Sequence, residues 1–529
     1  MKLVPALRIN GEIIKGDQYD HHNTLAILND LPHPDEKSRG FVDESGNFLT
    51  RNQAVMWLRK NDIKSFRKLP SKTYYNGLHS EDLAKVYGIT QRTEKEAKTE
   101  MILVENSPVK SEVVSLKDKT AIVYDRGGLY LYCAEKLAEK YGKVMYYLAD
   151  ADAYPTSQKA TIGSGIKNIK RIHDFFKYVD EADVVYFFDC YDGEMQHWLR
   201  EKGYKIFGSG RGEQLEIDKI FFLEALEKLK LPCAKTYLAE GMDDLCGYLK
   251  EHDNETLFLK NLHRGDFESR KFSSMAQSRP FLNDLRKRLG SASDTIEVLI
   301  QHKIDSVIEV GYDGFQINGE FTDNCIVGYE IKDRGFVGKI FPETPRIVKL
   351  INDAFSSTLK ELGGMGNYST ELRITKDGLP YYIDPTQRVP SPPGELMCEI
   401  YENWAEATYQ IAHEIVPELI PKAEFGAECI LTSSWHEEHE IHVKFPSKYK
   451  EHIKLKNHTV RGGEYYCIPN GNGSFFGSVV AYADTLEEAI EKVKEVAGAI
   501  EADDYSFDDS MFNEACESVE KGEQFGIIY

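Results

Sequence analysis

The sequence predicts a multidomain protein of mixed class, α/β and α+β, built around a parallel sheet with covering helices and carrying a small α+β module at its N-terminus. Three observations predict it. Buried-strand and helix patterns alternate over residues 119–212. Strand-rich hairpins with occasional helices follow that stretch. A length of 529 residues accommodates three or four domains of roughly 100–200 residues each.

Composition narrows the function. With 41% hydrophobic and 29% charged residues the chain has ordinary globular content. A net charge of -21 argues against a broad nucleic-acid or membrane surface, because both partners are polyanions. No run of about 20 apolar residues is present to span a bilayer. The N-terminal "MKLVPALRINGEIIKGD" has too short an apolar stretch for a signal peptide. The nine cysteines are scattered and form no C-x-x-C pair. They predict small core fillers in a reduced, cytoplasmic protein.

Residues 1–90 read as a separate module. "ALRINGEIIKG" predicts two short strands around an Asn-Gly turn. "GFVDESGNFLTRNQAVMWLRK" predicts strand, turn and a helix opening after Thr50, with Val55 and Leu58 on its apolar face. His21 and His22 form either a polar site or a surface turn. Residues 91–118 are charged, poorly patterned and linker-like.

Over 119–212, "TAIVYD", "KVMYYLAD", "DVVYFFDC" and "YKIFGSG" are strands separated by helical runs. Such a βαβ series gives a parallel sheet. Ligands in these sheets gather at the carboxyl ends of strands, which places Asp125–Gly128 and Asp189–Asp192 at an expected cleft edge. The "GSGRG" at 208–212 lacks the G-x-G-x-x-G spacing of a dinucleotide fingerprint.

Beyond residue 213, a helix bearing Lys219 exits through Leu-Pro. The strand Leu257–Lys260 ends in a lysine, and Arg264 and Gly265 lie in the loop after it. "YEIKDRG" offers Lys332 and Arg334 for phosphate or carboxylate contact. "STELRITKDGLPYYIDPTQR" predicts a hairpin turning at Lys376-Asp377-Gly378, with Glu371 and Asp384 on opposite strands. Thr386 and Arg388 follow Asp384 at the two-residue spacing of one strand face. "HEEHEIH" at 436–442 is not H-E-x-x-H, "GGMGNYS" at 363–369 reads as a turn, and the acidic tail reads as a solvated helical face.

In this order, residues 119–510 resemble the ATP-grasp ligases, most closely phosphoribosylamine–glycine ligase. "FGSGRGEQLEIDKIFFLEALEKLKLPCAKTY", "LFLK", "ITKDGLPYYIDPTQR" and "GSVVAYADTLEEAIEKVKEVAGAIEADDYSFD" carry the resemblance. Residues 1–90 resemble a small phage and bacterial module of unknown function. The first resemblance implies a pre-ATP-grasp parallel domain (119–212), a two-lobed ATP-grasp domain (213–420) and a C-terminal α+β domain (421–529).

It also implies ATP with Mg2+ or Mn2+. Lys219 and Lys260 would neutralise the triphosphate under the loop of Arg264 and Gly265. Gln301, His302 and Ile304 would border the adenine, with Gln301 standing where relatives place an acid. Glu309 would take the ribose hydroxyls. Glu371, Asp384 and Thr386 would hold the metal, with Thr386 where relatives place asparagine. Arg388 would stabilise the transferring phosphoryl group, while Lys332 and Arg334 stand either as phosphate or carboxylate contacts or on a surface hairpin. The implied reaction joins a small-molecule carboxylate to an amine or thiol through an acylphosphate. The alternative is a catalytically inactive ATP-grasp scaffold that binds nucleotide or supports assembly.

Overall fold

The computed structural model describes residues 3–9, 12–15, 22–28, 38–43, 46–60, 114–150, 158–260, 262, 269–469, 471 and 473–529. The chain divides into two compact units, Met1–Lys110 and Ser111–Tyr529.

In the first unit, β1 (Val4–Ile9), β2 (Glu12–Lys15), α1 (His22–Leu28), β3 (Arg39–Val42), β4 (Phe48–Thr50) and α2 (Arg51–Lys60) form an antiparallel sheet of order β2-β1-β3-β4 with two helices. Ile9 pairs with Glu12, the register that a two-residue Asn-Gly connection sets. Thr50 and Gln53 close α2 reciprocally. The Gln53 N–H donates to Thr50 Oγ1 at 3.4 Å, and the Thr50 N–H donates to Gln53 Oε1 at 2.9 Å. Ala54, Val55 and Leu58 then pack on Phe41 and Leu3. His22 is neither a surface turn nor an exposed polar site. It is buried with its Nε2 2.8 Å from the Gly40 carbonyl and its ring edge-on to Phe41, so it ties α1 to β3. His21 and residues 61–113, which include most of the expected linker, lie outside the described residues.

The second unit begins at Ser111, inside the stretch 91–118 expected to be a linker. Leu116 is buried, and its carbonyl accepts from the N–H groups of Lys119 and Gly142. The strands β5 (Thr120–Asp125), β6 (Lys143–Leu148), β7 (Ile169–Ile172), β8 (Val184–Phe187) and β9 (Ile206–Phe207) form a parallel sheet, β7-β6-β5-β8-β9. Helices α3 (Leu131–Ala138) and α4 (Gly193–Glu201) connect strands of this sheet. Burial on both faces requires the near-continuous apolar runs seen in β5 and β8.

Next come α5 (Lys219–Lys228), β10 (Thr236–Glu240), α6 (Gly241–Glu251), β11 (Leu257–Lys260), β12 (Arg270–Phe272), α7 (Met275–Leu289) and β13 (Glu297–His302). The four strands make an antiparallel sheet, β10-β13-β11-β12. Met242, Leu245 and Leu249 of α6 and Leu282 and Leu285 of α7 cover one face. The other face borders a cavity.

The remaining elements are β14 (Ser306–Ile317), β15 (Glu320–Phe321), β16 (Cys325–Ile331), β17 (Gly335–Phe341), α8 (Arg346–Leu362), β18 (Met365–Thr375), β19 (Pro380–Thr386), α9 (Gly394–Ile400), α10 (Trp404–Ala412), β20 (Phe425–Ser433), β21 (Ile441–Val443), β22 (Ile453–Leu455), β23 (His458–Arg461), β24 (Glu464–Cys467), β25 (Phe475–Ala483), α11 (Leu486–Ala497), β26 (Tyr505–Ser506) and α12 (Met511–Gly522). One 10-stranded sheet runs β19-β18-β14-β16-β17-β20-β25-β22, with β15 beside β14 and β26 beside β20. It runs across residue 420, where the resemblance implied a boundary, because β17 pairs directly with β20 from Gly335↔Cys429 to Lys339↔Phe425.

Only part of "GGMGNYS" turns. Gly363, at φ +68°, ends α8, a conformation glycine adopts without a Cβ clash. Met365 then opens β18 and is buried. The acidic tail helix α12 is amphipathic, with Met511, Phe512, Ala515 and Val519 buried. No helix among the described residues is long and apolar enough to cross a membrane.

Candidate functional site

A cavity of about 560 Å³ lies between the open face of the β10–β13 sheet and the β14–β19 end of the large sheet. Strand alternation decides what each wall presents. In β11, Leu257 and Leu259 are buried while Phe258 and Lys260 face the cavity. Phe258 pairs with Gln301 and Leu257 with His302. Cross-strand partners share a face, so Gln301 points into the cavity and the His302 ring points to the helix side. There His302 Nε2 meets Tyr248 Oη of α6 at 2.9 Å. The His302 and Lys303 N–H groups donate to the carbonyls of Lys235 and Thr256 at 2.9 and 3.1 Å, so these two backbone donors are already engaged. Phe222, Leu223 and Leu226 of α5 add an apolar patch.

The opposite wall is the hairpin of β18 and β19, and a single irregularity sets its chemistry. Near the turn the register runs Ile374↔Pro380, Arg373↔Tyr381, Leu372↔Tyr382. It then shifts, and Glu371 pairs with Asp384 and Ser369 with Thr386. Ile383 is the extra residue. Without that shift Glu371 would oppose Ile383, and Asp384 would fall out of phase with Glu371. A β-bulge re-aims side chains in this way. Thr386 and Arg388 also line the cavity. The Arg388 guanidinium is fixed by Glu216, whose Oε1 accepts from Arg388 Nε at 2.9 Å and whose Oε2 accepts from the Gln387 N–H at 2.7 Å.

Acids and cations are unevenly paired in the cavity. Lys219, first residue of α5 behind the Asp218 cap, pairs with Asp384. Burial opposes a charge on Asp384, but Lys219 and Lys260 outweigh it and hold its carboxyl below the usual range. Glu371 goes the other way. Burial first, then its hydrogen bond and repulsion with Glu309, raise it well above an ordinary carboxylate. Glu309 is in turn held down, against burial, by its hydrogen bond with Glu371 and by Arg373, whose Nε donates to Glu309 Oε2 at 2.6 Å. Glu330 is exposed by surface area yet enclosed by the cleft, and that enclosure with repulsion from Glu309 raises it to about 7. Lys260 is lowered by burial. An all-oxygen set in which one acid is driven toward neutrality by its neighbours fits a hard divalent cation, which takes carboxylate and hydroxyl oxygens.

The cavity thus brings together Lys260, Gln301, His302, Ile304, Glu309, Lys332, Glu371, Asp384, Thr386 and Arg388, with Lys219 joined through Asp384. Glu309 sits with the hairpin carboxylates rather than alone on a strand face. Arg264 and Gly265 lie outside the described residues. Arg334 does not line the cavity. It pairs with Asp508 at 2.9 Å and with Glu514, because the acidic tail folds back over its turn. Asp125 and Asp192 do not line it either. Asp125 accepts the Gly128 and Tyr130 N–H groups and the Tyr146 hydroxyl, closing its own turn. Arg126 pairs with Asp192 at 2.8 Å.

Sequence reasoning missed Glu216, Glu330 and Arg373. Two carried a usable signal: Arg373 is two residues from Glu371 and Glu330 two from Lys332, hence on the same strand faces. The histidines of "HEEHEIH" do not converge. His436 is buried, His439 stacks on Trp435, and His442 pairs with Glu464.

No family model matches the chain, and no curated protein matches its sequence. Solved structures do. Phosphoribosylamine–glycine ligase from Thermotoga maritima is 17% identical, with 73% of this chain and 98% of that chain covered and a TM-score of 0.56. Biotin carboxylase from Campylobacter jejuni is 14% identical, with 73% and 92% covered and a TM-score of 0.53. The biotin carboxylase domain of the Hydrogenobacter thermophilus 2-oxoglutarate carboxylase, in complex with MgADP and bicarbonate, is 13% identical, with 78% and 99% covered and a TM-score of 0.52. The chain has their fold, the multidomain mixed α/β ATP-grasp architecture that its sequence resembles.

Proposed function

We propose that this ATP-grasp chain is an ATP-dependent ligase that joins a small-molecule carboxylate to an amine or thiol through an acylphosphate. The observation that carries the reading is the cavity itself, where Lys260 of one sheet faces Glu371, Asp384 and Arg388 of the other.

The residues divide the work. Adenine would lie against Phe222, Leu223 and Leu226 beside the 301–304 segment. Lys260 and Lys219 would meet the phosphates as point charges. Glu371, Asp384 and Thr386 would hold Mg2+ or Mn2+, which would supply positive charge to offset that of the phosphates. Lys219 would then leave Asp384 for the phosphates, since one carboxylate oxygen cannot serve both at full strength. Arg388, held in place by Glu216, would stabilise charge on the phosphoryl group in transfer. Lys332 would orient the carboxylate. Little covalent chemistry is asked of the protein; alignment alone supplies effective molarities on the order of 10⁵–10⁸ M.

One observation favours a second reading, a nucleotide-binding scaffold without turnover: Asp384 is already paired with Lys219, and threonine stands at 386. ADP release measured with a panel of carboxylates and amines separates the two. The ligase reading expects substrate-stimulated release that Asp384→Asn abolishes. Nucleotide binding with no stimulation by any pair, and no change in Asp384→Asn, would establish the scaffold.

A further inference from the structure

Behind the cavity wall lies a second cluster. His252 caps the C-terminal end of α6, Glu255 follows in the turn into β11, and His302 ends β13. One ligand atom from each lies within 4.8 Å of the other two, and among the described residues no other group of three or more His, Cys, Asp or Glu side chains converges in this way. His252 Nδ1 is 2.8 Å from Glu255 Oε1, and His302 Nδ1 is 3.2 Å from Glu255 Oε2.

We propose that His252 Nδ1, the Glu255 carboxylate and His302 Nδ1 form a binding site for a divalent transition cation of the Zn2+ type, distinct from the oxygen-only site in the cavity.

The surroundings argue for a built site. Tyr248 sits one helical turn before His252. Its ring stacks on Tyr237 with centroids 4.1 Å apart and lies against His252 at 4.3 Å. Its hydroxyl meets His302 Nε2 at 2.9 Å. Without a cation His302 Nδ1–H donates to Glu255 and Nε2 accepts from the Tyr248 hydroxyl; with one, Nε2–H would donate to Tyr248 and leave the Nδ1 lone pair for the metal. An outer hydrogen bond of this kind fixes the tautomer of a metal-bound imidazole. The loop between the ligands is held as well. The Glu255 N–H donates to the His252 carbonyl at 3.0 Å, and Asp253 Oδ1 accepts the Met275 N–H at 2.7 Å. Two imidazoles and one carboxylate suit Zn2+, Ni2+ or Cu2+ rather than Mg2+. The Glu255 side chain is half exposed, leaving a coordination position open to water or an exogenous ligand. A cation here would clip α6 and the turn into β11 to the end of β13, whose backbone borders the cavity.

The test uses full-length protein stripped of metal and titrated calorimetrically with ZnCl2 in the absence of nucleotide, so its outcome is independent of the ligase reading. The expected result is one tight equivalent, release of protons from the imidazoles into buffer, and a raised thermal midpoint. Co2+ should give visible d–d bands without thiolate charge transfer. His252→Ala and Glu255→Gln should remove the equivalent while keeping the metal-free thermal midpoint, and Tyr248→Phe should weaken it by about 10–100-fold. His439→Ala should change nothing. Binding that survives His252→Ala and Glu255→Gln, a thiolate band with Co2+, or the absence of any tight equivalent would overturn the proposal.

Discussion

Two groups of lysines and carboxylates lie in the same unit and behave oppositely. Around Glu399, three lysines converge on one acid: Lys454, Lys136 at 2.8 Å and Lys422 at 3.5 Å. Burial works against the Glu399 charge, but Lys454 and Lys136 more than offset it and hold the carboxyl at about 2. In the cavity, Glu309, Glu330, Glu371 and Asp384 crowd together, and Glu371 is driven up instead. In the first group three cations meet one acid and hold α3, α9 and β22 together. In the second, Glu371 is buried against other acids, Glu309, Asp384 and Glu330, rather than against a lysine of its own. Residue type alone does not separate scaffold from site; the pairing of charge does.

Breaking the first group should have the largest effect. Glu399→Gln leaves buried lysines without their anion and should cost about 3–5 kcal/mol of stability, read from urea denaturation, with turnover per folded molecule unchanged. Lys260→Met should do the reverse. ADP release should fall about 10²–10³-fold, the loss expected for one group that stabilises transition-state charge, while the urea midpoint holds or rises because the buried ammonium is disfavoured in the fold.

A pH series sharpens the contrast. The Glu399 carboxyl is depressed, so its stabilisation is present above the ordinary carboxylate range and is lost as pH falls toward about 2. The Glu371 carboxyl is raised, so its contribution is present at acid pH and is lost as pH rises through its elevated folded value. Urea midpoints of Glu371→Gln should therefore gain on the parent from acid toward neutral pH, and Mg2+ should close the gap by stabilising the parent alone. The smallest effect belongs to Arg334→Ala, which lies on the acidic tail; turnover should stay within about twofold. A larger loss would bring that arginine back to the site.

Much of this was legible in sequence because it is local. Alternation placed Lys260 at a strand end, and a Lys-Asp-Gly turn set Glu371 opposite the "YYIDPT" strand. Long-range register was not legible. Nothing local says that Arg373 will meet Glu309, that Glu216 will hold Arg388, or that α12 will draw Arg334 away. The cleft edge expected at Asp125 and Asp192 failed for the same reason. Asp125 is engaged by its own turn and Tyr146 and Asp192 by Arg126, and the cavity forms between two other sheets.

The extra residue at Ile383 bears on how this protein can be recombined. Chain exchanged between hairpins on the turn side of Ile383 keeps the inner carboxylates in phase, whatever its composition. A splice that lets the regular register run on, with Glu371 opposite Ile383, inverts everything beyond it, sending Asp384 and Thr386 to the reverse face. Such a chimera would still close as a hairpin and pass a test for secondary structure, while presenting aliphatic carbon where the cavity now has carboxylate and hydroxyl oxygens.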